Sequence, residues 1–222
     1  MGRAMDKDAM TAPAADEGAW IEVSDALLAG ITHDLNGRVA AVAGLLQVLV
    51  GETPHADALA LLRREGERLD ATVALLRTYP RGAERAPEAI DPRELLPQLL
   101  ALHARRDDRQ GAIARLEIAP AAPPARADRT WLGRALLVLI ARAGRAGEAG
   151  GPVPFLMRAD GSGDRALWLV RPEAPALPGA EAAATPATDR YLRTAEAFVA
   201  RAGGELRVGS ESWEVVLPAV TG

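Results

Sequence analysis

The most constraining feature of this chain is a stripe of apolar side chains. Leu28, Ile31, Leu35, Val39, Val42, Leu46 and Leu49 follow one another in steps of three and four. Taking roughly 100° per residue, all of them fall within about 40° of the direction of Leu35, which predicts one long helix with a single apolar face. Ser24, with acidic Asp25 behind it, is placed to cap this helix. The break "VGETPH" then offers Gly51, a cap at Thr53 and Pro54 at the first position of a second helix. That helix carries its own stripe, Leu59, Leu62, Gly66, Leu69, Val73 and Leu76. The short connection makes the pair an antiparallel hairpin, and two helices alone cannot cover both stripes. Pairing with a second copy in a four-helix bundle covers them, so the pattern predicts a homodimer.

The hairpin is expected over residues 20–79, after a tail at 1–19 too polar and aperiodic to order itself. Residues 80–90, rich in Pro, Gly and mixed charge, read as a linker. Residues 91–222 change character. "DPRELLPQLLALHARR" reads as a helix, "ARLEIAP" as extended, and "DRTWLGRALLVLIARAGRAGE" as a helix apolar on much of its surface. "PFLMRAD" and "RALWLVR" flank the turn "GSGD" as a hairpin, and Pro172 to Thr188 reads as a long mobile stretch. "DRYLRTAEAFVARAGG" is a helix stopped by glycines, with strands "ELRVG" and "WEVVLPA" after it. The expected fold class is therefore α + α/β: a helical hairpin forming a dimeric bundle, followed by a two-layer α/β sandwich with mostly antiparallel strands.

Composition removes several function classes. A net charge of −4 argues against a nucleic-acid binder held by phosphate contacts. The absence of cysteine excludes disulfides, Cys-ligated metal and thiol nucleophiles. No signal-peptide core or run long enough to span a bilayer is present, so a cytoplasmic, membrane-free protein is expected. "DGSGD" fits a hairpin turn better than a calcium loop, whose twelfth position would be the cation Arg171.

His33 points about 160° away from the stripe, toward water. A lone histidine on a solvated face is ordinarily a tolerated surface residue, but here the neighbours change the reading. Asp34 can accept a hydrogen bond from one ring nitrogen and leave the other as a nucleophile. Gly37, one turn on and on the same face, costs a helix about 1 kcal/mol relative to Ala, and its missing side chain opens a path for another protein's backbone. Asn36, Gly37 and Arg38 are the candidate docking residues beside the site. The alternatives for Gly37 are a simple helix irregularity and close helix packing, against which its direction away from the stripe argues. His55 and His103 lack such a neighbour and read as surface or boundary residues; Arg63–Arg64 and Arg105–Arg106 read as solvated faces. Trp131, Trp168 and Trp213 read as core or boundary residues.

"THDLNGRVAAVAGLLQVL" resembles the phosphoacceptor box of bacterial two-component histidine kinases, in which a histidine followed by Asp or Glu lies on the first helix of a dimeric hairpin. "ADRTWLGRALLVLIARAG" is similar to the segment around the kinase N-box, and the piece from "YLRTAEAFVARAGG" to "WEVVLP" resembles the end of the ATP-binding domain. The departures are informative. The N-box asparagines that hold magnesium correspond to Val138 and Arg142; "VRPEAPALPG" stands where an Asp-x-Gly-x-Gly box belongs; "TPATDRYLRTAEAF" replaces a Gly-x-Gly loop. The resemblance therefore implies a stand-alone histidine phosphotransferase of the ChpT type, with His33 as phosphoacceptor, Asp34 orienting its ring, no cofactor, and magnesium brought by the partner. Its implied partners are response-regulator receiver domains or a hybrid histidine kinase. Gly37 sits where bifunctional kinases carry Thr or Asn, so the resemblance implies weak or absent phosphatase activity. The rival readings are a pseudokinase scaffold with a relic histidine and a kinase with a diverged pocket.

Overall fold

The computed structural model describes residues 17–51, 56–82, 85–106, 114–144, 153–173, 185–210 and 212–220. Two helices lead, α1 (Gly18–Gly51) and α2 (Ala56–Thr78). Contacts between Ser24 and Tyr79, Asp34 and Thr72, and Arg38 and Glu65 run in opposite senses along them, so the hairpin is antiparallel. The expected start at Ser24 is corrected. Trp20 and Val23 continue the apolar pattern upstream, the helix begins at Gly18, and the Ser24 hydroxyl meets the Tyr79 hydroxyl at 2.5 Å instead of capping a backbone amide. Thr53, Pro54 and His55, and residues 1–16 of the expected tail, lie outside the described residues. Ala19, assigned to that tail, is buried.

The expected linker is partly built into the fold. Its end forms β1 (Glu88–Ile90), which pairs antiparallel with β3 (Ala125–Ala127). Pro80 is buried against α4 (Arg129–Ala143), where a Cβ on Gly133 would stand 3.3 Å from the proline's own Cβ.

The main sheet has five strands: β2 (Ala114–Ile118), β4 (Phe155–Ser162), β5 (Arg165–Pro172), β6 (Glu205–Val208) and β7 (Trp213–Pro218), in the order β2-β4-β5-β7-β6. Among the described residues, β2 and β4 run parallel and the other neighbours in this sheet are antiparallel. Along β5, Ala166, Trp168 and Val170 are buried while Leu167 and Leu169 are half-buried, the alternation of a sheet with one fully covered face. The β4–β5 turn uses Gly163 at a φ of +63°, and Gly203 closes α5 (Arg190–Arg201) at +91°, conformations that favour glycine.

The helices of this part start on aspartates. Asp91 accepts from the Arg93 amide before α3 (Pro92–His103), Asp128 from Thr130 and Trp131, and Asp189 from Tyr191 and Leu192. Each satisfies amides that a helix N-terminus leaves open. Helix α4 is apolar nearly all round because α1, α3, α5 and the sheet pack about it.

The base of the hairpin shares this core. Trp20, Val23, Leu27 and Ile31 are buried with α4 and α5, and the Trp20 ring lies 6.0 Å from Tyr79 and 6.3 Å from Phe198. Glu22 pairs with Arg190 across the same junction. His103 is also corrected: it is buried, with its ring edge-on to Phe155 at 5.5 Å. Trp168 and Trp213 are buried, while Trp131 is half-buried beneath the cations of Arg134 and Arg201. Of the Pro172–Thr188 stretch, residues 174–184 lie outside the described residues, and Thr185 ends it by accepting from the Asp189 amide at 2.8 Å. Among the described residues, no helix is long and apolar enough to cross a membrane.

Candidate functional site

Helix α1 leaves the core after Ile31, and the next residue but one is His33. His33, Asn36 and Gly37 are exposed, and a Cβ on Gly37 would meet no atom within 4 Å. This surface is open to solvent. Asp34 and Arg38 are half-buried on the side of α1 that faces α2.

The Asp34 carboxylate is densely held. Arg38, one turn along, grips it with Nη2 at 2.9 Å from Oδ1 and Nε at 3.1 Å from Oδ2. The fully buried Thr72 hydroxyl of α2 donates to Oδ2 at 2.7 Å, and its other acceptor within reach is the Arg68 carbonyl at 3.1 Å. Arg105, in the turn after α3, donates its Nη1 to the same Oδ2 at 2.8 Å. Arg38 also faces Glu65 at 3.6 Å, and Glu65 pairs with Arg68 at 2.5 Å. Partial burial pushes the Asp34 pKa up, but the hydrogen bonds from Arg38 and Thr72 and the charges of Arg105 and Arg38 outweigh it. The carboxyl therefore sits below its usual range.

This placement differs from the expectation that Asp34 orients the His33 ring. In this structure the hydrogen bonds of its carboxylate go to Arg38, Thr72 and Arg105, on the side of α1 that faces α2, while His33 is exposed. Arg38 is likewise held in the network and stands at the edge of the exposed Asn36–Gly37 surface. Arg105 and Arg106 are not a solvated face: Arg105 ties the α/β part to the hairpin and Arg106 is buried. Spacing along the chain gives no sign of a contact 71 residues apart. For Thr72, a small polar residue flanking the α2 stripe was the available signal.

A second place of interest is the facing ends of α4 and α5. Val138 is fully buried in the core. Arg142 is ion-paired with Asp189, the carboxylate that caps α5, and lies 5.9 Å from the Trp213 ring. Neither the Val138 side chain nor the Arg142 guanidinium carries an oxygen donor of the kind magnesium takes.

No protein-family model matches the chain, and no curated protein matches it. Among solved structures it is similar to the histidine kinase AdeS of Acinetobacter baumannii, at 18% identity over 85% of this chain and 98% of that one, with a TM-score of 0.48. A histidine kinase from Burkholderia phymatum gives 19% identity over 85% and 98%, with a TM-score of 0.42. The catalytic domain of the histidine kinase ThkA gives 16% over 61% and 97%, with a TM-score of 0.48. These similar structures are all histidine kinases, and likenesses this loose transfer neither an activity nor a set of site residues to the chain.

Proposed function

We propose that this chain is a histidine phosphotransferase that relays phosphoryl groups between aspartates of receiver domains without binding ATP. The observation that carries the reading is His33 standing exposed on a hairpin helix, beside the open surface of Asn36 and Gly37 and one residue from a carboxylate. In the forward step a ring nitrogen of His33 attacks the phosphorus of an aspartyl phosphate. The N–P bond forms as the P–O bond breaks, and the aspartate leaves as carboxylate. A proton on the far ring nitrogen stays there, where Asp34 is the nearest group in sequence able to accept its hydrogen bond. The receiver supplies the magnesium that neutralises the transferring group.

The α/β part supports transfer without nucleotide because Val138 and Arg142, the latter ion-paired with Asp189, stand at the positions that resemble the magnesium-holding box. Exposure along the hairpin supports a homodimer. On α1, Ile31, Leu35, Val42 and Leu49 are buried or half-buried, whereas Leu28, Val39 and Leu46, on the other edge of the same stripe, are 41%, 55% and 47% exposed. On α2, Leu59 and Val73 are left open in the same way. A second hairpin would cover those edges. Partners are receiver domains or a hybrid histidine kinase, met in the cytoplasm, with no role for nucleic acid or membrane.

The test is transfer of labelled phosphate from phosphorylated receivers to the wild type and to His33→Gln, with ATP alone as control. Acid-labile label on the wild type only, and only from a receiver, is expected; label from ATP would make the chain a kinase. The scaffold reading has one observation in its favour, the engagement of Asp34 away from the ring. It predicts receiver binding that is equal for both versions, with no label on either.

A further inference from the structure

The partners of Asp34 come from three elements: α1, α2 and the turn after α3. Two of the three donors have somewhere else to go. The Thr72 hydroxyl is already within reach of the Arg68 carbonyl of its own helix, and Arg38 already faces Glu65. Arg105 is the donor that links the α/β part to this cluster, and its side chain is 32% exposed, so the link is an ion pair that water can open. One residue away, His33 needs a carboxylate to fix which ring nitrogen holds the proton, and the carboxylate beside it is engaged.

Resting on the reading of His33 as acceptor, we propose that Arg105 is a positioning residue acting through Asp34. While it holds Asp34, the imidazole lacks its orienting partner and accepts phosphate slowly. When it lets go, Asp34 turns to the ring, the proton is fixed on the nitrogen that faces Asp34, and the other nitrogen, the one away from Asp34, is left as nucleophile. The position of the α/β part thereby sets the reactivity of a histidine on the hairpin.

The test uses the full chain with ¹⁵N-labelled histidine and potassium phosphoramidate as phosphodonor. That reagent loses ammonia as its P–N bond breaks and the new N–P bond forms on the ring, with the displaced proton leaving on the ammonia. Arg105→Ala is expected to raise the rate of His33 labelling about two- to five-fold, the shift that loss of one partly exposed ion pair allows. It is also expected to move the His33 ring-nitrogen signals, assigned with His33→Gln, toward a single tautomer. Arg105→Lys restores part of the wild-type behaviour, and Asp34→Asn removes the effect of Arg105→Ala altogether. Thr72→Val moves both readouts in the same direction, which keeps the test intact if Arg105→Ala unfolds. Unchanged ring signals in Arg105→Ala, or a change that persists with Asp34→Asn, would overturn the proposal. Ring signals that respond while no version is labelled would count against His33 as acceptor and leave the coupling standing. Labelling equal in every version except His33→Gln would do the reverse.

Discussion

The two halves of α1 share one apolar rhythm and meet opposite surroundings. From Ala19 to Ile31 the helix is welded to α4 and α5, and Leu27 and Ile31 are at most 1% exposed. Beyond Ile31 the helix runs beside α2, Arg105 reaches it at Asp34, and Val39, Leu46 and Val48 are 55%, 47% and 58% exposed. Hydrophobic spacing thus specifies that a face must be covered without saying by what. The first half is covered by its own chain, and the second half, which carries His33, keeps one edge of its stripe exposed. The transition between them is polar: Asp34, Arg38, Thr72 and Arg105 meet where the core ends.

The largest expected effect that would break this contrast is in folding stability. Leu27→Ala should destabilise the chain by about 3 kcal/mol, as deletion of a buried leucine does, and Leu46→Ala should cost the monomer under about 1 kcal/mol. Urea unfolding followed by circular dichroism would compare them, and equal losses would mean that the halves do not differ. Next comes assembly. Val39→Lys combined with Leu46→Lys should weaken self-association at least about tenfold, since an apolar seam would have to bury unpaired charge. Sedimentation equilibrium would measure it, and a wild type that stays monomeric would remove the second copy as the cover.

At the polar junction, Thr72→Val should cost about 1 kcal/mol by leaving Asp34 short of one donor. The smallest effect is on pH dependence. The Asp34 pKa is lowered in the folded chain, so its contribution is present above the unfolded value of about 3.9 and is lost as pH falls through the folded one. The stability difference between wild type and Asp34→Asn should therefore be flat from about pH 5 to 8 and shrink only below about pH 4. A difference that changes near pH 6 would point to another group.

The hairpin, the β4–β5 turn at Gly163, the closing helix and its glycine stop were legible because each rests on local rules: periodicity, turn residues and caps. What escaped depends on distance in sequence. Pro and Gly around residues 80–90 looked like a linker, yet β1 finds a partner in β3 some 37 residues on. His103 reads as a polar residue near a helix end, but its position against Phe155 follows from where β4 passes. At the site, the exposure of His33 follows from its angle on the helix, whereas the hold on Asp34 does not, because Arg105 arrives from another part of the fold.

The most direct measurement is a relay between two receivers. Label is placed on the aspartate of one, a second unlabelled receiver is added, and the chain is supplied as wild type or His33→Gln, without ATP. Label reaching the second receiver only in the presence of the wild type is the expected result. Label that passes equally with His33→Gln, or only once ATP is present, would contradict His33 as the acceptor of a nucleotide-free relay.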